Sequence, residues 1–364
     1  GIAGASAGYF LSPHGDVTLL EREDIPGYHT TGRSAAFYAP SYGGPALRPL
    51  TIESGPFLHT PPEGFSDVPL LHERGALYIA RDDQRGALQN FYDELARLTP
   101  EVEMLDGAEA TKRCPVLRED YVASAMFEPA CHDIDVNAVH QGYLRGLRKR
   151  GGQVVTGAEV LSLTRKGGAW VVETSAGTYE AEIVINAAGA WGDVTGQLAG
   201  LAPVGLTPLR RTVITVPAPQ PDISHWPLVL DVEEAFYFKP ESGSILASPA
   251  DETPMEPCDV QPEELDIAIL IDRLQNATEI EVPRIERRWA GLRTFAPDRT
   301  PVVGFDPDAP GFFWFVGQGG YGIQTSPSMG RLAESLIIHE RFPDFLGGYD
   351  ISRETYAPQR FSRR

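Results

Sequence analysis

The chain begins with glycines spaced as in a turn that leads from a strand into a helix beside a nucleotide. Gly1, Gly4 and Gly8 lie in GIAGASAGYF, and the next apolar stretch, DVTLLERE, carries Glu21. Glycines at such a turn let the backbone approach a pyrophosphate, and a carboxylate about 20 residues onward binds ribose hydroxyls. The same spacing also occurs where small residues pack a helix on a sheet. Alone, this segment leaves both interpretations open.

Composition excludes several classes of protein. The 364 residues are 42% hydrophobic, enough for one large domain or two. The net charge of −19 repels a phosphate backbone, so we expect no nucleic-acid partner. Apolar runs are shorter than the roughly 20 residues of a membrane helix, so we expect no transmembrane segment. Three scattered cysteines without a C-x-x-C pair predict no disulfide framework, no metal site and a reducing, cytoplasmic compartment.

Helical and strand patterns alternate along the chain, which predicts an α/β protein. Helices are expected over GASAGYFLSPHG and NAVHQGYLRGLRKRGG, and strands over DVTLLERE and QVVTGAEV. Hairpin strands around SAGT lead into a buried strand, and a Pro-rich middle has the alternation of an antiparallel sheet. A helix with apolar Leu265, Ile267, Ile269, Leu270 and Leu274 follows. The stretch GFFWFVGQGGYGIQTSPSMG repeats the order strand, glycine turn, helix.

Three further segments favour the nucleotide interpretation of the opening. GYHTTGRSAAFY at 27–38 is polar and contains glycine, and VINAAGAWGD at 184–193 ends a buried strand in small residues. GQGGYGIQTS at 317–326 supplies a second glycine turn with amides at a helix start. With these segments the chain resembles the FAD-dependent glycine and D-amino-acid oxidase superfamily, and within it the D-arginine dehydrogenases. The resemblance spans Gly1 to about residue 340 and also rests on HQGYLRG, FYFKP and WAGLR.

The resemblance implies a Rossmann-like FAD-binding domain and a second, mixed-sheet substrate domain. We expect the FAD-binding domain over 1–70, 131–200 and 296–364, and the substrate domain over 71–130 and 201–295. The first strand of the nucleotide-binding sheet is missing in front of Gly1, so we expect a fragment of a longer protein. The resemblance also implies the residues that bind FAD: Gly1, Ala3, Gly4, Glu21, Arg22, Thr30, Thr31, Gly32, Arg33, Ser34, Ala35, Phe37, Val160, Gly319, Gly320, Tyr321, Gly322, Ile323 and Gln324.

Oxidation of an amino acid requires its α-carbon to be held against the flavin. A carboxylate is held best by a planar guanidinium with two parallel hydrogen bonds. The resemblance assigns this role to Arg211 and Arg293, with hydroxyl groups from Tyr42 and Tyr237 and an amine-binding carbonyl from Gly320. Arginines in such a region are more often surface ion pairs, as the neighbouring Arg210, Arg287 and Arg288 illustrate. We interpret His29 and His140 as structural.

Three departures from the D-arginine dehydrogenase pattern concern the substrate side chain. The glutamate that pairs with the guanidinium of D-arginine is replaced by Ala76, a pocket histidine by Phe37 and a nearby threonine by Ala39. Losing a buried anion and gaining apolar surface favour a neutral, apolar side chain. Glu73, three residues before Ala76, offers a compensating charge if the loop shifts.

The expected function is oxidative deamination of D-amino acids to 2-oxo acids and ammonia by a dehydrogenase. Its partners are the D-amino acid and an electron acceptor, a quinone or an artificial dye, through which a cytoplasmic enzyme could associate with a membrane. A flavin oxidase of sarcosine, glycine or a 2-hydroxy acid is the alternative, and a non-catalytic nucleotide-binding protein is a distant third. The sequence indicates neither the oligomeric state nor how the flavin is attached.

Overall fold

The computed structural model describes residues 1–97, 99 and 101–361. Its α-helices within these residues are α1 (Ile2–Leu11), α2 (Arg48–His59), α3 (Arg85–Leu95), α4 (Gly107–Arg113), α5 (Val136–Lys149), α6 (Gly192–Leu198), α7 (Glu264–Ala277), α8 (Ser326–Ile338) and α9 (Arg353–Tyr356). Its strands are β1 (Thr18–Leu20), β2 (Phe37–Tyr38), β3 (Leu71–Glu73), β4 (Ala76–Ala80), β5 (Glu103–Asp106), β6 (Ser124–Glu128), β7 (His132–Ile134), β8 (Gln153–Val155), β9 (Val160–Lys166), β10 (Ala169–Thr174), β11 (Gly177–Ala181), β12 (Val184–Asn186), β13 (Thr207–Pro217), β14 (Leu228–Asp231), β15 (Tyr237–Glu241), β16 (Ser244–Ser248), β17 (Thr253–Pro254), β18 (Arg287–Phe295), β19 (Val302–Phe305) and β20 (Phe312–Val316).

Helix α1 is packed so closely that its small residues are required. A Cβ added to Gly8 would lie 3.3 Å from the side chain of Leu147 in α5, and one on Gly330 in α8 would lie 2.4 Å from Phe10. At Gly4 the packing is ordinary, since its Cβ would lie 3.7 Å from the side chains of Leu19 on β1 and of Ala187, which follows β12. Gly8 of the opening segment therefore also serves the close packing that the sequence left open.

Small sheets surround α1, and they contain the parallel pairs expected of a Rossmann-like half. β1 pairs with β8 in parallel, and β12 pairs with β20 in parallel while β19 joins β20 antiparallel. β9, β10 and β11 form an antiparallel sheet with the expected hairpin at SAGT. β2, β7 and β3 form a further antiparallel sheet. The expected α/β architecture is thereby confirmed.

A nine-stranded sheet is built from the chain segments 76–128 and 207–295. Its order is β17-β13-β16-β15-β14-β4-β6-β5, with β18 on β13, and β14 and β4 are its parallel pair. One face packs on α7, where Ile267, Leu270 and Leu274 are buried, whereas Leu265 and Ile269 on the same helix are exposed. Successive side chains of a strand alternate between faces, and the opposite face packs partly on α3, where Leu88 and Leu95 are buried. The division into two domains stays a prediction.

The antiparallel middle expected from the sequence is found in β13, β15 and β16. Within the residues that the structure describes, no helix is both long and apolar enough to cross a membrane.

Candidate active site

The two arginines predicted to bind a carboxylate lie on adjacent strands of the nine-stranded sheet. The antiparallel register of β13 and β18 pairs Leu209 with Arg293 and Arg211 with Gly291. Because side chains two residues apart on a strand share a face, Arg211 and Arg293 project from the same side of the sheet. Burial and, second, repulsion by Arg293 lower the pKa of the Arg211 guanidinium. The two charges therefore lie within electrostatic reach of each other.

Two tyrosines complete this group. The Arg293 Nη1 donates a hydrogen bond of 3.0 Å to the hydroxyl of Tyr42. Tyr237 on β15 is buried in the apolar cluster that also contains Phe37, and the Tyr42 ring lies 5.2 Å from the Phe37 ring. Burial lowers the pKa of Arg293, but the nearby Tyr42 and Tyr237 outweigh it and the net shift is upward. The structure thus brings together all four side chains predicted to hold the acid group.

Arg211 is only partly satisfied by its neighbours. Its Nη2 lies 3.2 Å from a carboxylate oxygen of Glu252, which also accepts hydrogen bonds from Arg299. Its buried Nε has no hydrogen-bond partner in the part of the chain that the structure describes. A buried donor without a partner is costly, but the Nε of Arg210 on the opposite face also lacks one among the described residues, so this atom alone does not identify a ligand site. Glu252 was not predicted from the sequence, because its stretch SPADETP carries no motif.

Arg210, the neighbour of Arg211 on β13, is an arginine that forms ion pairs instead of facing the candidate site. It points to the other face of β13, where it forms ion pairs with Glu263 and, at 2.8 Å, with Asp266 at the start of α7. Arg288 on β18 pairs with Glu264 and is exposed. Alternation along the strand thus separates Arg211, which faces the candidate site, from arginines that stabilise the surface of the sheet.

The second glycine turn touches both the substrate-side arginine and the first helix. A Cβ on Gly320 would lie 2.6 Å from Cζ of Arg293, and a Cβ on Gly322 would lie 3.5 Å from the Ile2 side chain. Gly319, with a positive φ of 56°, donates its amide to the Thr294 carbonyl at 2.9 Å. The glycine turn therefore connects the start of α1 with β18.

The remaining residues of this turn pack against the protein. The Tyr321 ring lies 4.9 Å from the Tyr42 ring, and Ile323 is buried beside Ile2. The Gln324 side chain accepts a hydrogen bond from the amide of Ala39 and reaches the Tyr42 carbonyl at 3.5 Å. The Gln324 amide group thus supports the loop that carries Tyr42, so its predicted contact with FAD rests on its backbone.

The start of α1 has the groups that a ribose and a diphosphate require. Glu21 directly follows β1, and the Thr31 hydroxyl accepts a hydrogen bond of 2.9 Å from the Ile2 amide. A Cβ on Gly1 would lie 3.3 Å from the Thr31 hydroxyl, so a side chain at this position would crowd the space at the start of α1. The Ala3 methyl group is buried in an apolar cluster that also contains Met329 and Leu332 of α8. The arrangement fits the adenosine and diphosphate parts of the expected FAD.

Other predicted FAD-binding residues lie along the same stretch. Thr30 donates to the Leu292 carbonyl at 2.7 Å, and Arg33 bonds Asp259 and two carbonyls near β18. These two side chains therefore connect the stretch to the large sheet. The others lie as follows: Arg22 stacks on Trp191, Gly32 has the Gly27 carbonyl where a Cβ would be, Ser34 and Ala35 line a cavity beside Trp289, and Val160 begins β9.

The two histidines interpreted as structural are apart from the arginine pair. His29 lies 2.8 Å from Glu23 and its ring contacts Trp191. His140 is buried, and burial lowers its pKa to about 4, so the imidazole is neutral at neutral pH. Its Nε2 has no hydrogen-bond partner among the described residues.

Known proteins resemble the chain along nearly its whole length. It is 24% identical to dimethylglycine dehydrogenase of Rattus norvegicus over 97% of the chain, which covers 44% of that protein. It is 25% identical to glycine oxidase of Geobacillus kaustophilus over 78% of the chain and 74% of that protein. The chain thus spans less than half the length of the mammalian dimethylglycine dehydrogenases it matches.

Solved structures share the fold. Glycine oxidase from Geobacillus kaustophilus superposes with a TM-score of 0.83 at 23% identity, covering 97% of this chain and 96% of that one. L-proline dehydrogenase from P. horikoshii superposes with a TM-score of 0.81 at 21% identity, covering 100% and 96%. The family described as FAD dependent oxidoreductase (DAO) matches residues 1–336. The chain therefore belongs to the FAD dependent oxidoreductase family, and its cofactor is FAD.

Proposed function

We propose that the protein oxidises the α-amine of D-amino acids, giving 2-oxo acids and ammonia, and that it works as a dehydrogenase of the D-arginine dehydrogenase type. The observation that carries the proposal is the contact of Arg293 with Tyr42 and Gly320, beside Arg211 and Tyr237. When bound, FAD supplies the acceptor for the hydride that leaves the α-carbon.

The protein's own side chains hold the substrate. The guanidinium groups of Arg293 and Arg211 bind the carboxylate, and the hydroxyls of Tyr42 and Tyr237 donate to it. The Gly320 carbonyl accepts a hydrogen bond from the amine, which directs the α-hydrogen. The amine loses a proton to solvent as the substrate binds, and hydride then leaves the α-carbon to give an iminium, which water hydrolyses to the 2-oxo acid and ammonia. Since solvent takes the proton, no side chain that acts as a strong base is required. This agrees with the position of His29, which is bonded to Glu23.

We propose a neutral, apolar side chain for the substrate. Phe37, Ala39 and Ala76 belong to one buried apolar cluster with Tyr237. Glu128 lies opposite Ala76 in the sheet, but both of its carboxylate oxygens accept hydrogen bonds from Ser41. A carboxylate that is already bonded offers less to a cationic side chain than an unpaired one.

Steady-state turnover with a dye as electron acceptor tests this proposal. We expect kcat/KM for D-leucine, D-methionine and D-phenylalanine to exceed that for D-arginine, and the L-enantiomers to react far more slowly. A clear preference for D-arginine would overturn the argument from the pocket. Turnover of L-leucine but not D-leucine would overturn the assignment to D-amino acids.

A second candidate function is oxidation of sarcosine, glycine or a 2-hydroxy acid with oxygen as the acceptor. Its support is the similarity to glycine oxidase. These small substrates would use the same carboxylate-binding arginines and tyrosines, and they have no apolar side chain to place against the cluster of Phe37, Ala39 and Ala76. An oxygen electrode separates the candidates: hydrogen peroxide formation from sarcosine or glycine favours the oxidase, and dye reduction without oxygen consumption favours the dehydrogenase.

A further inference from the structure

A buried carboxylate lies next to the loop that carries Tyr42. Glu128 ends β6, is 0% exposed and stands opposite Ala76, on the face of the sheet that carries Tyr237. Burying a carboxylate is costly unless hydrogen bonds compensate, so its partners indicate its role. Burial raises the pKa of Glu128, and its hydrogen bonds from Ser41 partly offset that shift.

The partners of Glu128 converge on one residue of the loop. The Ser41 amide donates to Oε1 at 3.2 Å, and the Ser41 hydroxyl donates to Oε2. The Tyr78 hydroxyl lies 3.1 Å from that serine hydroxyl and 3.5 Å from Oε2. The Ser41 carbonyl accepts a hydrogen bond of 3.0 Å from Nε of Arg48. Residues of β6 and α2 therefore hold the backbone of Ser41, and residues of β6 and β4 hold its hydroxyl.

Ser41 directly precedes Tyr42, the residue whose hydroxyl meets Arg293 at 3.0 Å. Gln324 holds the loop from the other side, through Ala39 and the Tyr42 carbonyl. Because the two residues share a peptide bond, a displacement of Ser41 moves the Tyr42 backbone and changes the contact of the Tyr42 hydroxyl with the guanidinium. Hydrogen bonds of this kind weaken steeply as their geometry is lost.

We propose that Glu128 is a positioning residue for the substrate site: by holding Ser41 it keeps the Tyr42 hydroxyl on Arg293, where the carboxylate of the substrate binds. This inference rests on the proposed function, since it requires that Tyr42 and Arg293 bind that carboxylate. Glu128 itself does not touch the substrate.

A double-mutant cycle on the FAD-loaded protein tests the proposal. We expect Glu128→Gln to raise KM for D-leucine, and the Kd of benzoate measured by flavin absorbance, about tenfold, with a smaller change in kcat. Tyr42→Phe should raise both constants by a similar factor. Adding Glu128→Gln to Tyr42→Phe should then have little further effect, because both changes remove the same contact. Ser41→Ala is the milder second variant if Glu128→Gln does not fold.

The outcomes separate this proposal from the function on which it rests. If Tyr42→Phe raises KM while Glu128→Gln and Ser41→Ala leave it unchanged, the role of Glu128 is overturned and the carboxylate site stands. Full additivity of the two changes also overturns it, because Glu128 then acts independently of Tyr42. If Tyr42→Phe leaves KM and the benzoate Kd unchanged, the carboxylate site fails and this proposal fails with it.

Discussion

At the scale of single residues, the candidate site depends on two like charges held side by side. Burial and the neighbouring Arg293 both disfavour the charged form of Arg211. Glu252 and the tyrosine hydroxyls compensate only in part, and the buried Nε of Arg211 has no partner among the described residues. A bound carboxylate would relieve both the repulsion and the missing hydrogen bond. We infer that a bound carboxylate stabilises the charge of Arg211, whereas Tyr42 and Tyr237 already stabilise that of Arg293.

Replacing Arg293 by lysine tests this view. Lysine keeps the charge but lacks the planar pair of donors, so we expect Arg293→Lys to lower kcat/KM about 100-fold, or about 3 kcal/mol. Arg288→Lys on the same strand is the matched control, because Arg288 is exposed and pairs with Glu264. Equal kcat/KM for the Arg293→Lys and Arg288→Lys variants would contradict the role of Arg293 in binding the carboxylate.

The neutral His140 makes stability depend on pH. Its pKa falls from 6.5 to about 4 in the folded chain, chiefly through burial, so the unfolded chain takes up the proton first as pH falls. Stability should be full above pH 6.5 and decline between pH 6.5 and 4, by about 2 kcal/mol between pH 7 and 5.

Urea unfolding at pH 7 and pH 5 measures this dependence. His140→Gln should remove that part of the decline, whereas His225→Gln, which alters an exposed imidazole, should keep it. An unchanged decline in the His140 variant would show that other groups cause it.

Sequence alone could not distinguish Arg211 from Arg210 by residue type. The choice came from the resemblance, and the strand register of β13 and β18 supplies the physical reason. The sequence does contain an indication that Glu128 is buried. Side chains at Ser124, Met126 and Glu128 share one face of β6, so a buried Met126 predicts a buried Glu128. Its partner Ser41 could not be predicted, because that contact depends on how a distant loop packs.

At the scale of secondary-structure elements, local patterns predicted those parts of the fold that depend on neighbouring residues. Helices α1, α5 and α8 and strands β1, β8 and β20 follow from glycine turns and apolar periodicity. The pairing of β14 with β4 in parallel joins residues about 150 positions apart in the chain, and no local pattern encodes it. That pairing puts Glu128 on the same face of the sheet as Tyr237, so this residue, which the sequence analysis missed, depends on long-range register.

The glycine turn before α8 gives a prediction at this scale. A Cβ at Gly320 would lie 2.6 Å from Cζ of Arg293, the movable end of a long side chain. Gly320→Ala should therefore displace the guanidinium at little cost in folding stability. We expect KM to rise about tenfold or more while the melting temperature changes by about 2 °C or less. Gly348→Ala, where a Cβ meets nothing within 4 Å, is the control. A large drop in melting temperature with unchanged KM would contradict this prediction.

At the scale of the whole molecule, FAD should act as a connection between distant parts of the chain. The expected FAD-binding residues come from the start of α1, the stretch after β1 and the glycine turn before α8. These segments meet at the start of α1, where Ile2 contacts Thr31, Gly322 and Ile323. A ligand that binds all of these segments in the folded state stabilises it by mass action.

Removal of FAD should therefore lower the melting temperature, and added FAD should restore it in a concentration-dependent way, by about 2.7 kcal/mol at a hundredfold excess over Kd. FMN lacks the adenosine half, so it should restore much less if Glu21 and the α1 amides hold that half. Glu21→Gln should reduce the difference between FAD and FMN, because it weakens the acceptor for the ribose hydroxyls. Thermal unfolding of the flavin-free protein with each nucleotide measures this. Equal stabilisation by FMN and FAD would place the binding energy on the ring side and contradict the adenosine site at the start of α1.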